Sequence, residues 1–488
     1  MSPKGSVEEL RNYVDGRWVP SESPESLVDV NPATAEPLAR FADTTADETR
    51  RAVAAAQAAF DAWRRTPPLQ RARRLMSLRQ LLEAHHDEIA EVLSAEHGKT
   101  RREAWLEVER AIENVEVASG ATTLMMGRSL EDAAAGIDEY TIRRPLGVTA
   151  TLCPFNFPAM IPFWSMPYSL ACGNCVVVKA SPLVPMTLVR IFELIERAGF
   201  PPGVANLVLG ATDAAGELLE NPGVRAVSFV GSTRVGRIVY AKAAAAGKRM
   251  QVQAGAKNFG IVMPDAKYDQ AVPNLVASAM DCTGQRCLAL AVVVAVGEAY
   301  RPVRDGIVEL ARARRVGCGL DEGVEMGPVI TPQARERIEQ CIQKGIDEGA
   351  EAILDGRGLR VEGYPNGYWL GPTVLDGCRA DMEVVQEEIF GPVVCLLRAR
   401  DLDEALGFIR GKRYGNAASI FTTDGAAARK FRHEVPCGNL GINIGVAAPM
   451  AFFQFGGAKD SFFGDLHAQG RDAFKFFTNA AVCVERWF

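Results

Sequence analysis

Apolar positions in the first 120 residues recur at helical spacing. Thr45 and Glu48 have the spacing of a capping box ahead of a stripe formed by Val53, Ala56, Phe60 and Trp63, which predicts a helix with one buried face. Leu75, Leu78, Leu82, Ile89 and Leu93 carry the same period through residues 70–97. Gly98 supplies a left-handed stop there, and a further helical stretch covers residues 101–118. Ahead of these, residues 13–19 read as extended chain with Asp15-Gly16 as a turn. From Gly147 the pattern changes to short runs rich in β-branched residues, at Val148–Leu152, Cys175–Lys179, 205–209 and 226–230, separated by helical periods. Strand and helix alternating in this way predict βαβ units on a parallel sheet. A second alternating region begins near Phe259 and includes 288–296, Glu351–Leu354 and 393–397, which predicts a second α/β unit with a boundary near Ala256.

The chain has 488 residues, 48% hydrophobic and 23% charged, a balance that suits a globular protein of two or three domains rather than a disordered one. Its formal net charge of −6 gives no electrostatic reason to bind nucleic acid or an anionic membrane. The clusters Arg71/Arg73/Arg74 and Arg312/Arg314/Arg315 lie among acidic residues and read as solvated faces. No apolar leader opens the sequence, and the longest apolar run, 288–296, is too short to span a bilayer, so a cytoplasmic protein is expected. Eleven cysteines without regular spacing fit a reducing compartment better than a disulfide framework. The pair Cys172/Cys175 has no second pair or histidine to complete a zinc site and reads as two buried structural thiols, so no metal is expected.

Chemistry concentrates in a few places. Cys287 follows a Gly-Gln-Arg turn and precedes an apolar run, which puts a thiol at a loop-to-strand junction. Upstream lie Pro154-Phe155-Asn156-Phe157-Pro158 and Gly231-Ser232-Thr233-Arg234-Val235-Gly236; downstream lies Glu387-Glu388-Ile389-Phe390-Gly391-Pro392. In this combination and order, over nearly the whole chain, the sequence resembles the aldehyde dehydrogenase superfamily. The resemblance implies an α/β fold with a Rossmann-type cofactor domain (1–126 and 145–255), an α/β catalytic domain (256–450) and a small oligomerisation hairpin with the C-terminal strand (127–144 and 471–488). It also implies a homodimer or homotetramer.

Carried over residue by residue, the resemblance makes Cys287 the nucleophile. Its thiolate adds to an aldehyde carbon, and the resulting oxyanion is met by the Asn156 side-chain amide and the Cys287 backbone N–H. Phe155, Lys179, Ser181, Gly231, Ser232, Glu388 and Phe390 fall on cofactor-binding positions. The phosphate site departs from the Gly-x-Gly-x-x-Gly fingerprint, yet Gly231 and Ser232 still follow a strand and open a helix whose N–H groups can face a pyrophosphate. Pro182 stands where the family has a glutamate on the adenosine ribose, which leaves the choice between NAD and NADP open.

Members that hydrolyse their thioester carry a glutamate before Leu-Gly-Gly-Lys, whereas this chain reads Gln253-Ala254-Gly255-Ala256-Lys257. An amide accepts no proton near neutral pH, so the resemblance points to coenzyme A as the acyl acceptor. The segments 155–164, 255–265 and 460–469 resemble the CoA-acylating methylmalonate-semialdehyde dehydrogenase branch, in which two arginines hold the substrate's carboxylate. They fall on Arg110 and Arg286, and a guanidinium beside Cys287 is expected to lower the thiol's pKa. Glu103, Glu107 and Glu113 are alternative partners for Arg110 at helical spacing, and Phe259 replaces the branch's common histidine. Two rival readings stay open. One is a hydrolytic enzyme in which Gln253 positions water, and the other a silent dinucleotide-binding subunit.

Overall fold

Short runs of valine and alanine, interrupted by helical sequence, become the parallel strands of two sheets; the computed structural model describes residues 7–488. The first sheet contains β1 (Val148–Leu152), β2 (Cys175–Lys179), β3 (Ala205–Val208), β4 (Val224–Val230) and β5 (Arg249–Gln253), in the spatial order β5-β4-β1-β2-β3. All five run parallel. Every residue of β1, β2 and β3 is buried, which explains why they read as continuous apolar runs rather than alternating ones. The order of connection reverses between β1 and β4, so a crevice opens beyond their carboxyl ends, where open α/β sheets bind ligands.

The second sheet contains β6 (Phe259–Val262), β7 (Val292–Val296), β8 (Thr373–Asp376), β9 (Val393–Ala399), β10 (Ala417–Phe421) and β11 (Asn439–Ile442), ordered β8-β9-β7-β6-β10-β11. Glu351–Leu354 pairs antiparallel on the outer side of β8. The largest hydrophobic cluster spans residues 10–254 and takes in Ala473, Phe474, Phe476 and Phe477 from near the C-terminus. Two further clusters, built from β6 through β10 and the helices beside them, form the core of the second sheet. A third, antiparallel sheet joins Ser129–Ala134, Ile137–Pro145 and Thr478–Glu485 and leaves Val482 and Val484 exposed. The C-terminal segment therefore divides: the helix Gly470–Phe476 packs into the first core, and only the following strand joins this sheet.

Three expectations need correction. The helical period over 70–97 is interrupted at His85, which separates Pro68–Ala84 from His86–His97. The apolar run at 288–296 becomes strand only from Val292; the Asn258 side chain, rather than a neighbouring strand, binds the carbonyls of Cys287 and Ala289. Residues 13–19 are, as expected, extended about a turn at Asp15-Gly16, forming a hairpin, Asn12–Val14 with Arg17–Val19, whose first strand pairs with β3. Arg71 is not solvated like Arg73 and Arg74: it is buried, donating to the carbonyls of Ala171 (2.9 Å) and Thr66. A buried guanidinium tied to carbonyls is read from sequence as one more surface charge, because the segment that covers it, at Ala171, lies a hundred residues away. Among the described residues, no helix is long and apolar enough to cross a membrane.

Candidate active site

The nucleophile loop follows a helix, Tyr268–Met280, and a short turn in which Cys282 and Thr283 both adopt left-handed backbone (φ 51° and 55°). Gly284 continues the turn, and a Cβ there would lie 2.0 Å from the Gly391 carbonyl oxygen, so only glycine admits this approach. The loop is held from several sides. Cys282 N–H donates to Glu103 Oε1 (2.6 Å), Thr283 Oγ1 to the Gly327 carbonyl (2.9 Å), and Ile330 N–H to Gln285 Oε1 (3.1 Å). Two asparagines, Asn258 and Asn416, donate to the Cys287 carbonyl at 2.9 and 2.7 Å. Neither asparagine, nor Gln285, stands out in sequence, since each acts across strand ends far apart in the chain.

Asn156 lies in the loop after β1, and its Nδ2 donates to the Gln285 carbonyl at 3.1 Å. One of its two amide protons is thereby taken, and the other is free to donate. Lys99 fixes this loop from below. Its Nζ donates to the Asn156 carbonyl (2.7 Å) and to Glu107 (2.6 Å), and Glu107 accepts the N–H groups of Ala159 and Met160 (2.8 and 3.1 Å). Both side chains are fully buried. Sequence reading missed this pair, although Lys99 follows the helix-stopping Gly98 and Thr100 with Glu103 forms a second capping box.

Cys287, Arg286 and Arg110 line one cavity of about 150 Å³, with Phe157, Trp164 and Phe455 among its apolar walls. Arg110 pairs with Glu113 (2.7 Å) and donates to the Pro449 carbonyl (3.2 Å), while Glu107 is committed to Lys99. Arg286 faces Asp281 at 3.6 Å. Arg286 lowers the Cys287 thiol as expected, together with the N–H groups of Cys287 and Leu288, but enclosure in protein first and Glu388 second outweigh them and leave the thiol pushed up to about 12. Its sulfur reaches the cavity but is surrounded by protein, and the positive charge of Arg286 is shared with Asp281, Glu103 and Cys282. Gln253, at the end of β5, donates to the Phe455 carbonyl at 3.0 Å, and its Oε1 is buried without a partner.

The other singled-out residues gather at the crevice beyond β1, β2 and β4. Lys179 ends β2, and its ammonium, drawn down to about 8 by burial, makes no hydrogen bond among the described residues. Ser181 Oγ accepts the Leu183 N–H at 3.3 Å, which leaves its own proton free to donate. Phe155 and Phe390 meet edge to face, ring centres 5.9 Å apart. Gly231 N–H, expected to face phosphate, instead donates to the Gln253 carbonyl (3.1 Å), and Ser232 Oγ caps the helix Thr233–Ala245 at Val235 N–H. The N–H groups of Thr233 and Arg234 have no partner within the helix and are the ones positioned for an anion. Glu388 Oε1 accepts the Ala256 N–H (3.0 Å), and enclosure raises its carboxyl to about 7. An unpaired ammonium, open helix N–H groups and two aromatic walls at a sheet switch point suit a dinucleotide.

Residues 18–482 match the model of the aldehyde dehydrogenase family. The chain is 47% identical to malonate-semialdehyde dehydrogenase 1 of Geobacillus kaustophilus, over 98% of each. It is 44% identical to the mitochondrial acylating methylmalonate-semialdehyde dehydrogenase of Arabidopsis thaliana, over 98% of this chain and 78% of that protein. A Sinorhizobium meliloti 1021 structure complexed with NAD, provisionally assigned as a methylmalonate-semialdehyde dehydrogenase, superposes with a TM-score of 0.98 at 40% identity over 99% of both chains. With the fold, the nucleophile loop and the crevice in agreement with these matches, the chain belongs to the aldehyde dehydrogenase family.

Proposed function

We propose that the protein oxidises a carboxylated semialdehyde of the malonate or methylmalonate type, using NAD or NADP, and passes the acyl group from Cys287 to coenzyme A. The observation that carries the acylating step is Gln253. In the position of a hydrolytic glutamate stands an amide tied to the Phe455 carbonyl, so activation of water loses a factor of roughly 10²–10⁴ and a thiol is the better acceptor. The names of relatives at 44–47% identity, one of them acylating, support the substrate class.

In this reading the Cys287 sulfur adds to the aldehyde carbon, and the oxyanion is met by the free Asn156 amide proton and the Cys287 N–H. A nicotinamide dinucleotide bound in the crevice would supply the hydride acceptor. Lys179 and Ser181 hold its adenosine ribose, Glu388 the other ribose, Phe155 and Phe390 flank it, and the Gly231-Ser232 turn delivers the helix N–H groups to pyrophosphate. Arg110 and Arg286, on the cavity that holds Cys287, take the substrate's carboxylate, and the Phe157, Trp164 and Phe455 walls exclude water from the thioester. Pro182 in place of an acidic ribose anchor removes the repulsion of a 2′-phosphate, so NADP is accepted beside NAD. Residues 1–126 and 145–255 serve the cofactor and 256–450 the catalysis, and the exposed third sheet, with its strand Thr478–Glu485, serves a homodimer or homotetramer of a cytoplasmic enzyme.

The test follows NADH or NADPH with malonate or methylmalonate semialdehyde, with and without coenzyme A, and identifies the product by mass. Sustained turnover only with coenzyme A, giving an acyl-CoA, is expected. Equal turnover without it, giving a free acid, would overturn the acylating step and make Glu388 the candidate for activating water.

A further inference from the structure

One polar residue on the cavity that holds Cys287 makes little use of its side chain. Gln469 is 2% exposed and lines that cavity with Arg110 and Arg286. Its backbone (φ 50°, ψ −179°) lies in a region open to glycine and costly for any residue with a Cβ. A glutamine there gives up stability that a glycine would keep, so its side chain has a use to match. That use is not local. The amide caps none of the N–H groups of the helix Gly470–Phe476, and its one hydrogen bond among the described residues is long, from Nε2 to the Met450 carbonyl at 3.4 Å. Because a carbonyl only accepts, this contact fixes which end of the amide is nitrogen.

The surrounding backbone aims the amide. Gln469 N–H donates to the Trp164 carbonyl (3.2 Å), Gly470 N–H to the Ala451 carbonyl (3.0 Å), and the Tyr168 hydroxyl to the same Ala451 oxygen (3.1 Å). Residues 449–451 hold Arg110 as well: its Nη2 donates to the Pro449 carbonyl (3.2 Å) and its Nη1 to Met450 Sδ (3.0 Å) and Glu113 (2.7 Å). The adjoining carbonyls of Pro449 and Met450 thus receive the guanidinium and the amide, which puts both on one stretch of the wall. Of a guanidinium's five N–H donors these contacts take three, and the Gln469 amide keeps one of its two. What remains suits an anion with several lone pairs, and a carboxylate has about four such sites.

We propose that Gln469 determines specificity: its free amide N–H donates to the substrate's carboxylate beside Arg110, an inference that rests on the reading of this cavity as the site of a carboxylated semialdehyde. The choice of a neutral donor follows from the charges present. Arg110 is paired with Glu113 and Arg286 faces Asp281, so both guanidinium groups are already balanced by carboxylates of the chain. A further cation would draw in anions of any shape. An amide adds no net charge and bonds only to an oxygen in line with its N–H, so it favours an aldehyde whose carboxylate lies at the right reach from the carbon attacked by Cys287.

The experiment uses the full chain with Gln469→Met, which keeps the length of the side chain and removes its donors, and with Gln469→Gly, which also relieves the backbone. Values of kcat and KM are measured for malonate semialdehyde and for propanal at fixed NAD and coenzyme A, and turnover of propanal reports that each variant is folded. For malonate semialdehyde a rise in KM of roughly tenfold or more is expected in both variants, with kcat little changed, as for loss of a hydrogen bond to a charged group. For propanal, which has no carboxylate, KM and kcat stay within about twofold of the parent. A KM for malonate semialdehyde that stays at the parent's value overturns the inference. Equal losses on both aldehydes overturn it too, because they make Gln469 a structural residue. A parent that does not prefer malonate semialdehyde to propanal overturns instead the carboxylated-substrate reading, so the two failures are told apart.

Discussion

The nucleophile loop and the cofactor crevice satisfy their polar groups in opposite ways. Around Cys287 the polar groups of the loop are tied: two asparagines on one carbonyl, a carboxylate on the Cys282 N–H, and a glutamine bridging to Ile330. At the crevice the Lys179 ammonium makes no hydrogen bond among the described residues, and the helix at Thr233 points unanswered N–H groups outward. A buried, unpaired charge is costly in an isolated protein and is stabilised only when a ligand of opposite charge arrives. The loop thus meets its polar groups within the chain, whereas the crevice leaves some for a ligand to meet.

Removing groups from each region should expose this difference, and the largest effect is expected at the thiol itself. Cys287→Ala should lower turnover by at least about 10⁴-fold while leaving the dinucleotide dissociation constant unchanged, as read by fluorescence titration. Lys99→Met should come next, because it leaves Glu107 buried and unpaired beneath Asn156. A stability loss of about 3–5 kcal/mol in urea unfolding is expected. If unfolding is unmoved, the loop is not held by that pair.

Glu388 tests the crevice through pH. Its carboxyl is raised in the folded protein from 4.5 to about 7, so the protonated form is the one that folding favours. That contribution to stability is complete below about pH 4.5 and is lost as pH rises through 7. Glu388→Gln should therefore unfold later than the parent at pH 8, by up to roughly 3 kcal/mol, with the advantage shrinking towards pH 5. A constant difference across that range would mean that the carboxyl is not enclosed. The smallest effect is expected for Lys179→Met, which should weaken NAD binding about tenfold, or about 1.4 kcal/mol, and leave kcat at saturating cofactor nearly unchanged. A change in kcat instead would place Lys179 with the chemistry.

The strands of the first sheet were legible because their burial on both faces writes itself as unbroken apolar runs, and the capping boxes mark where helices begin. Cys287, Asn156 and the arginines were legible through motif order, and the structure brings the arginines and the thiol to one cavity. What escaped depends on distant partners. The run at 288–291 is as apolar as a strand, but Asn258 binds its carbonyls. Arg71 looks like Arg73 until Ala171 meets it. Arg286 draws the thiol down as its place in the sequence suggests, but enclosure and Glu388, a hundred residues further on, act the other way. Nothing local signals that Gly231 gives its N–H to β5 rather than to the crevice.

Enclosure and Glu388 push the Cys287 thiol up, while Arg286 and the N–H groups of Cys287 and Leu288 draw it down. The sulfur's charge is therefore a balance struck among neighbours that also border the two ligand sites, which ties the readiness of the nucleophile to what occupies them.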